Sequence, residues 1–337
     1  MAKHLTQEQR YYICLQKANF IPQKEIAKRI GVSESTISKE LRRNSRSVGD
    51  YDSDYAGKRA SLRRSKASKA KAFNKITSKI EQYICDNLKN HWSPEQISGR
   101  MKMDIGKKLS HQTIYSYIKH DRGNHGKLYK LLAHHGKSYK AKQASSTIIT
   151  DRVDISQRPK IVERKTRVGD FEIDTVVSAK NSGKSCLLTM VERRTRMTFI
   201  RKALDRSAQQ IQLAIEDVYL KSTIPILTLT SDNGSEFANH GLIAENIGCD
   251  FYFARPYHSC DRALNENTNG LIRRYLPKGT NFDTISEAEI EQVQDCLNNR
   301  PRKSLKYRTP NEVINKYLQR IECNRAKKFK LPISFHS

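Results

Sequence analysis

The sequence predicts a multidomain protein in which all-α helix-turn-helix modules at the N-terminus precede an α/β domain. Its 337 residues exceed the roughly 100–200 residues of one typical domain. Apolar residues follow a helical period in the first part of the chain, whereas short β-type runs begin at residue 167. Basic residues are also concentrated in the first part, so the two parts differ in composition as well as in predicted structure.

The charge balance indicates a nucleic-acid partner. The chain has 62 Lys and Arg against 35 Asp and Glu, a formal net charge of +27. Residues 1–150 carry 31 basic and 12 acidic residues, and residues 151–337 carry 31 and 23. Such an excess favours a polyanion, because each phosphate that is neutralised releases condensed counterions. No apolar run approaches the ~18 residues of a membrane-spanning helix, and the seven cysteines contain no C-x-x-C pair, which predicts reduced thiols in a cytoplasm.

Residues 1–45 predict a helix-turn-helix DNA-binding domain. Thr6 and Gln9 form a capping-box pattern, Gly31 suits the turn, and Ser33 can cap the second helix of the motif. An ordinary helical hairpin with a solvated polar face is the alternative, and the surrounding charge favours DNA binding. The predicted DNA contacts on that helix are Ser35, Thr36, Ser38, Lys39, Arg42 and Arg43.

Residues 46–165 predict a second DNA-binding module, here called the second reader, between two basic stretches. Residues 46–75 are rich in Lys, Arg, Ala and Ser and predict a basic linker, with a helix along the DNA phosphates as the alternative. Residues 76–121 predict a second helix-turn-helix-like domain, in which Ser-Pro-Glu-Gln at 93–96 starts a helix. Residues 122–165 have no sustained period and predict a basic connector. The predicted DNA contacts of this second domain are Gln112, Thr113 and Lys119.

Residues 166–322 predict an α/β domain, followed by a short tail at 323–337. Three β-rich runs come first, and a helix, a strand, a helix and a strand follow them. This order predicts a mixed sheet with helices packed on it.

Three carboxylates of this domain are candidate catalytic residues and metal ligands. Asp174 lies within the first strand, Asp232 ends a buried strand before an Asn-Gly turn, and Glu266 lies on a helical segment. The same helical face carries Arg262, which we expect to contact phosphate, and Asn269 and Arg273, which we predict to contact DNA. Carboxylates without a basic ligand suit Mg²⁺ or Mn²⁺. Two such ions ~3.5–4 Å apart can activate a water or 3′-hydroxyl and hold the leaving oxygen.

Five segments carry a family resemblance: WSPEQISGRM, FEIDTVV, SDNGSEF, PYHSCDRALNENTNGLIRRYLPKGT and LNNRPRKSLKYRTPNEV. They resemble bacterial insertion-sequence transposases of the IS-thirty family, and the match covers nearly the whole chain. The resemblance implies a DDE-superfamily core that is RNase H-like, as in retroviral integrases. It also implies that Asp174, Asp232 and Glu266 form the metal-binding triad, and that four other acids are bystanders, namely Asp170, Glu172, Glu236 and Asp261.

The resemblance further implies the activity and the partners. It implies a transposase that binds double-stranded DNA at terminal inverted repeats, cleaves it, and transfers strands to target DNA with two Mg²⁺ or Mn²⁺ ions per active site. A homo-oligomer on DNA, in the bacterial cytoplasm at the nucleoid and without a membrane partner, is expected. Two departures from the family pattern are Phe171 in place of Trp and the segment HSCDRAL at 258–264.

Two other functions are alternatives. A DNA-binding transcriptional regulator with an inactive transposase core would bind DNA without strand transfer, and the intact set of three acids counts against it. A stand-alone RNase H-like nuclease needs no sequence reader, and the paired helix-turn-helix modules count against it.

Overall fold

The computed structural model describes residues 4–73, 75–133, 152–178, 183–255 and 259–329. The chain forms two compact units, Met1–Glu81 and Gln82–Ser337. Within the residues described, no helix is both long and apolar enough to cross a membrane.

The first unit is built from helices that enclose a small apolar core. Its first three helices follow the predicted pattern, and Gly31 adopts the left-handed backbone conformation (φ 67°) that ends α2 before the turn. The Thr6 capping box is present, with Gln9 returning a hydrogen bond to the Thr6 backbone. Ile13, Ile26 and Ile37 are fully buried between the helices. The helices are α1 (Gln7–Ala18), α2 (Gln23–Ile30), α3 (Glu34–Asn44) and α4 (Ser53–Ala72).

The fourth helix corrects the prediction of a basic linker at 46–75. Helix α4 packs against α1 and α3, and Ala56 and Tyr51 belong to the apolar core of the unit. The Tyr51 hydroxyl donates to Glu40 Oε1 at 3.1 Å, and Arg63 donates to the Arg43 carbonyl at 2.9 Å. Small alanines allow this close packing, although the segment lacks the large apolar residues by which a core helix is usually recognised.

The helices of the rest of the chain include a three-helix group and the helices of the α/β fold. The box at Ser93 and Gln96 is present at the start of α6, and Ser110 caps α7. Ile84, Ile97 and Ile114 are buried, one on each of the three helices α5 to α7. The helices are α5 (Ser78–Lys89), α6 (Pro94–Ile105), α7 (His111–Gly123), α8 (Lys160–Arg164), α9 (Ala208–Lys221), α10 (His240–Ile247), α11 (Ala263–Tyr275), α12 (Glu287–Asn298) and α13 (Pro310–Phe329).

The second unit contains a five-stranded mixed sheet. The predicted order of strands and helices is confirmed. The strand order is β3-β2-β1-β4-β5, in which β1, β2 and β3 are antiparallel neighbours while β4 and β5 run parallel to β1. The strands are β1 (Asp170–Val177), β2 (Cys186–Glu192), β3 (Thr198–Ala203), β4 (Thr228–Ser231) and β5 (Asp250–Phe253).

The alternation of side chains along β1 assigns its residues to two cores. Phe171 and Ile173 belong to the core that includes residues of α9 and α10. Val176 belongs to a second core that includes residues of α11 and α12. Because successive side chains of a strand point to opposite faces, Glu172 and Asp174 share the Val176 face. The sheet therefore presents Asp174 to α11.

Two further segment boundaries differ from the prediction. The expected connector at 122–165 contains α8, and Ile155 and Val162 are buried, so its last residues belong to the folded unit. Residues 134–151 of that connector lie outside the described residues. Helix α13 continues to Phe329, into the expected tail at 323–337.

The second predicted reader packs on the C-terminal part of the α/β domain. Arg100 on α6 forms a two-pronged ion pair with Glu312 on α13, at 2.6 and 2.7 Å. Gln96 donates to the Pro301 carbonyl at 2.8 Å. Gly99 lies so close to Tyr307 that an added Cβ would stand 2.4 Å from the ring. One face of α6 is thus used for attachment to the domain that follows.

Candidate active site

Asp174 and Asp232 lie on either side of one guanidinium group. Arg262 Nη1 is 3.3 Å from Asp174 Oδ1, and Arg262 Nη2 is 3.1 Å from Asp232 Oδ2. The two acids come from adjacent parallel strands, since Asp174 is on β1 and Asp232 directly follows β4. The sheet topology therefore brings together two carboxylates that are 58 positions apart in the sequence.

Hydrogen bonds from neighbouring groups orient both carboxylates. Asp174 Oδ1 accepts from the Thr175 backbone N–H at 2.9 Å, and its Oδ2 accepts from the Asn269 amide at 2.8 Å. Asp232 Oδ1 accepts from the Gly234 backbone N–H at 3.1 Å, within the predicted Asn-Gly turn. Both side chains are thus held in fixed rotamers while oxygen atoms remain directed at Arg262.

Burial dominates the electrostatics of Asp174. Removal from water raises the pKa of its carboxyl to about 6; nearby Arg262 opposes the rise, and the negative charge of Asp232 adds to it. Two close carboxylates, one of them largely removed from water, favour a compensating cation.

Glu266 is placed one helical turn after Arg262 on α11, and its side chain is exposed. No described residue forms an ion pair or hydrogen bond with its carboxylate. Among the residues described, no three His, Cys, Asp or Glu side chains are grouped so as to hold a metal ion. The structure therefore brings Asp174 and Asp232 together and leaves Glu266 outside their group.

The four acids expected to be bystanders each pair with an arginine of their own. Asp170 and Glu172 are buried, and Glu172 also accepts from the Asn265 backbone N–H at 3.3 Å, near the start of α11. These contacts give the four acids structural partners outside the Asp174–Asp232 pair. The pairs are Asp170–Arg167, Glu172–Arg193, Glu236–Arg206 and Asp261–Arg255.

Two residues of the site were assigned differently, or not at all, from the sequence. Arg262 was expected to contact phosphate, and the structure pairs it with the two acids instead. Thr189 was not singled out; its hydroxyl lies 3.1 Å from the Asp174 carbonyl and 3.2 Å from Asn269 Oδ1. Arg262 could have been found from its position four residues before Glu266, whereas Thr189 carries no local signal.

The predicted DNA contacts lie in three places. Asn269 bonds to Asp174, and Arg273 donates to the Val177 carbonyl at 2.6 Å, so both side chains already have protein partners. On α7, Gln112 and Lys119 are exposed and Thr113 is half-buried. On α3, Thr36 is half-buried and the others are exposed, namely Ser35, Ser38, Lys39, Arg42 and Arg43.

Two family models match this chain. An integrase core domain matches residues 169–259, and a helix-turn-helix domain matches residues 2–44. The first match contains Asp174, Asp232 and the strands that carry them. Together with the mixed sheet, these matches define a DNA-binding protein with an RNase H-like integrase core.

The relatives of this chain give the family. The transposase for insertion sequence element IS4351 of Bacteroides fragilis is 41% identical over 317 residues, which are 93% of this chain and 95% of that protein. The IS1086 transposase of Cupriavidus metallidurans is 30% identical over 94% of this chain and 95% of its own length. Transposase InsI for IS30C of Escherichia coli is 31% identical over 93% of this chain and 84% of its own length.

Among solved structures, the match to the catalytic core domain of BIV integrase covers 47% of this chain and 98% of that chain, at 21% identity and a TM-score of 0.36.

The chain belongs to the IS30 family of insertion-sequence transposases. Its function is transposition, and its core is of the DDE nuclease and strand-transferase type. The family does not favour a transcriptional regulator with an inactive core.

Proposed function

We propose that this transposase binds the terminal inverted repeats of its element and then cleaves and transfers DNA strands at Asp174 and Asp232, with Glu266 as the third acid. The observation that carries the proposal is the shared contact of Asp174 and Asp232 with Arg262. Two carboxylates from adjacent parallel strands converge on one positive group, and α11 carries both that group and Glu266.

The residues fit a divalent cation by their chemistry. Carboxylate oxygens are the ligands that Mg²⁺ and Mn²⁺ prefer, and the half-buried Asp174 lies next to a second negative charge that a cation would offset. Asp174 and Asp232 would hold the metal, with Glu266 joining them, and we propose two ions per site. When bound, such ions activate the attacking oxygen and stabilise the leaving one.

The residues around the acids keep the site ordered. Asn269 and the Thr175 backbone fix the two oxygens of Asp174, and the Gly234 backbone fixes Asp232. Arg262 lies between the two carboxylates and supplies the positive charge that a bound metal would supply. These hydrogen bonds therefore hold both acids in place for a cation and restrict their motion.

DNA recognition is assigned to polar side chains of α3, α7 and α11. On α3, the polar face that includes Lys39 and Arg42 would enter the major groove or contact phosphates. Gln112, Thr113 and Lys119 on α7, and Asn269 and Arg273 on α11, stay predicted DNA contacts. Because phosphate contacts dominate such binding, the affinity should fall steeply with salt.

We also propose a homo-oligomer on DNA, because two element ends require two active sites. We place its action on nucleoid DNA in the bacterial cytoplasm, since its relatives are transposases of bacterial insertion elements.

The proposal is tested with Asp232→Asn in the full chain. We expect loss of strand cleavage and joining with Mg²⁺ or Mn²⁺, and nearly unchanged affinity for a duplex that carries the element ends, because the change removes a metal ligand and no DNA anchor. Asp295→Asn on the exposed face of α12 is the matched control and should keep full activity. Strand joining by Asp232→Asn at the wild-type rate would show that this acid is not catalytic.

A further inference from the structure

A basic cavity of about 270 Å³ lies against the face of α11 that is opposite to the acids. Its lining includes Asn267 and Thr268, whereas Arg262, Glu266 and Asn269 share another side of the helix. At 3.6 residues per turn, these two sets are separated by roughly half a turn. The positively charged residues that line the cavity are Lys165, Arg196 and Arg302.

In the described part of the chain, these three basic side chains form no ion pair. None of them forms an ion pair with a described carboxylate, although ion pairs occupy many other arginines of the unit. Arg302 is only 8% exposed; its Nη2 donates to the Leu297 carbonyl at 3.2 Å, whereas no described atom accepts from its Nε. The buried Nε of Arg196 likewise has no partner among the described residues. Buried donors without acceptors are rare in folded proteins, because each one loses its bonds to water.

The cavity concentrates positive charge. Burial lowers the pKa of Lys165, and the neighbouring Arg196 and Arg193 lower it further. Burial and the charge of Arg196 lower the pKa of Arg302 to about 10. Glu172 acts in the opposite direction on Lys165, but its carboxylate is paired with Arg193. A bound anion would relieve this repulsion and accept the unused N–H groups.

The donor set matches a phosphate group. Guanidinium groups present several N–H donors in a plane that fits phosphate oxygens, and Lys165 adds a mobile positive charge. The hydroxyl-bearing Thr268 and Ser304 also line the cavity. A strand of DNA carries a charge about every 3.4 Å along the helix axis. A strand crossing α11, which is ~10–12 Å wide with its side chains, would therefore offer phosphates to both faces.

We propose that the cavity formed by Lys165, Arg196 and Arg302 binds a backbone phosphate of the same DNA strand whose reacting phosphodiester lies at Asp174 and Asp232, on the other side of α11. The inference rests on the proposed function, because it assigns the occupant to the substrate DNA. The cavity would fix the position of the strand across α11 without taking part in the chemistry.

Two measurements on the full chain test the site. The test variant combines Lys165→Gln with Arg196→Gln, and the control variant combines Lys316→Gln with Arg320→Gln, which are exposed on α13 away from the cavity. The first measurement is the melting temperature in sodium phosphate against sodium chloride at equal ionic strength. The second is the slope of log affinity for duplex DNA against log salt concentration.

We expect phosphate to raise the melting temperature of the wild type and of the control. In the test variant, this rise in melting temperature should be at most half as large. The salt slope of the test variant should be shallower by ~0.9, the value for one lost phosphate contact, with the control pair nearer the wild type. An unchanged slope together with a lost phosphate effect would identify a free-anion site and overturn the assignment to DNA. If both responses stay as in the wild type, no anion site exists there. Neither measurement requires strand transfer, so an inactive wild-type protein would contradict the proposed function alone.

Discussion

The side-chain amide of Asn269 donates a 2.8 Å hydrogen bond to Asp174 Oδ2 and so connects α11 to β1. Similar contacts occur on either side of this bond. Glu172 accepts from the Asn265 backbone N–H, and the Val177 carbonyl accepts from Arg273. Positions four residues apart on the helix thus meet successive parts of one strand. This alignment fixes where α11 carries Arg262 and Glu266 relative to Asp174.

Replacing Asn269 by Ala should impair catalysis through Asp174. A hydrogen bond to a charged group contributes about 1.5–3 kcal/mol, so we expect a ~10- to 100-fold slower strand transfer and a higher Mn²⁺ concentration for half-maximal activity. The control Asn246→Ala removes an exposed amide on α10 that bonds Glu216. A metal requirement that is the same in both variants would contradict a positioning role for Asn269.

Glu172→Gln should destabilise the second unit. Glu172 is 2% exposed and accepts from Arg193 at 2.8 Å, so its neutralisation leaves a buried guanidinium without its counter-charge. Such a loss costs about 3–5 kcal/mol. The fluorescence of Trp92, the single tryptophan, reports the unfolding of this unit in urea.

The matched control for Glu172 is Glu95→Gln, which breaks the exposed pair Lys303–Glu95. Surface pairs contribute about 0–1 kcal/mol, so the urea midpoint should move little. Equal shifts for the two variants would mean that the Glu172–Arg193 pair is no more important than a surface contact.

Gly99→Ala should destabilise the attachment of α6, although Ala is normally the better helix former by about 1 kcal/mol. The added methyl group would stand 2.4 Å from the Tyr307 ring, and such overpacking costs about 1–3 kcal/mol. Gly241→Ala on α10 meets nothing within 4 Å and should leave the melting temperature unchanged or raise it. The double variant with Tyr307→Ala should recover part of the loss, and independent, additive effects would exclude the contact as the cause.

The stability of the second unit should fall in mild acid because of His91. Burial and the nearby Arg274 and Arg300 lower the pKa of His91, whose ring packs edge-on against Tyr275 at 4.7 Å. A lowered folded-state pKa contributes stability above the ordinary value of about 6.5, and that contribution is lost as the pH falls through the folded value. Melting temperatures at pH 8 and pH 5 should therefore differ more for the wild type than for His91→Asn.

Asn suits this substitution because His91 has a left-handed backbone (φ 59°), which Asn tolerates. His111→Asn, at an exposed position on α7, should keep the wild-type pH dependence. A pH dependence that is equally steep in His91→Asn would assign the acid sensitivity to other groups.

Much of the local structure could be predicted from the sequence because its causes are local. The capping boxes at Thr6 and Ser93 depend on residues three positions apart, and both are present. The left-handed turn at Gly31 and the order of strands and helices follow in the same way from residue type and period. Family membership also rests on the sequence, since the relatives match over most of their length.

Only the tertiary structure decided which of these elements pack together and which charges meet. Helix α4 joins the first unit because Ala56 fits between helices, a matter of shape that no period reveals. Arg262 meets Asp174 and Asp232 because parallel pairing of β1 and β4 aligns residues that are far apart in the chain. Arg302 is buried beside Arg196 although the sequence around it is strongly polar. Such contacts depend on distances between remote residues, which the sequence does not encode locally and which folding alone fixes.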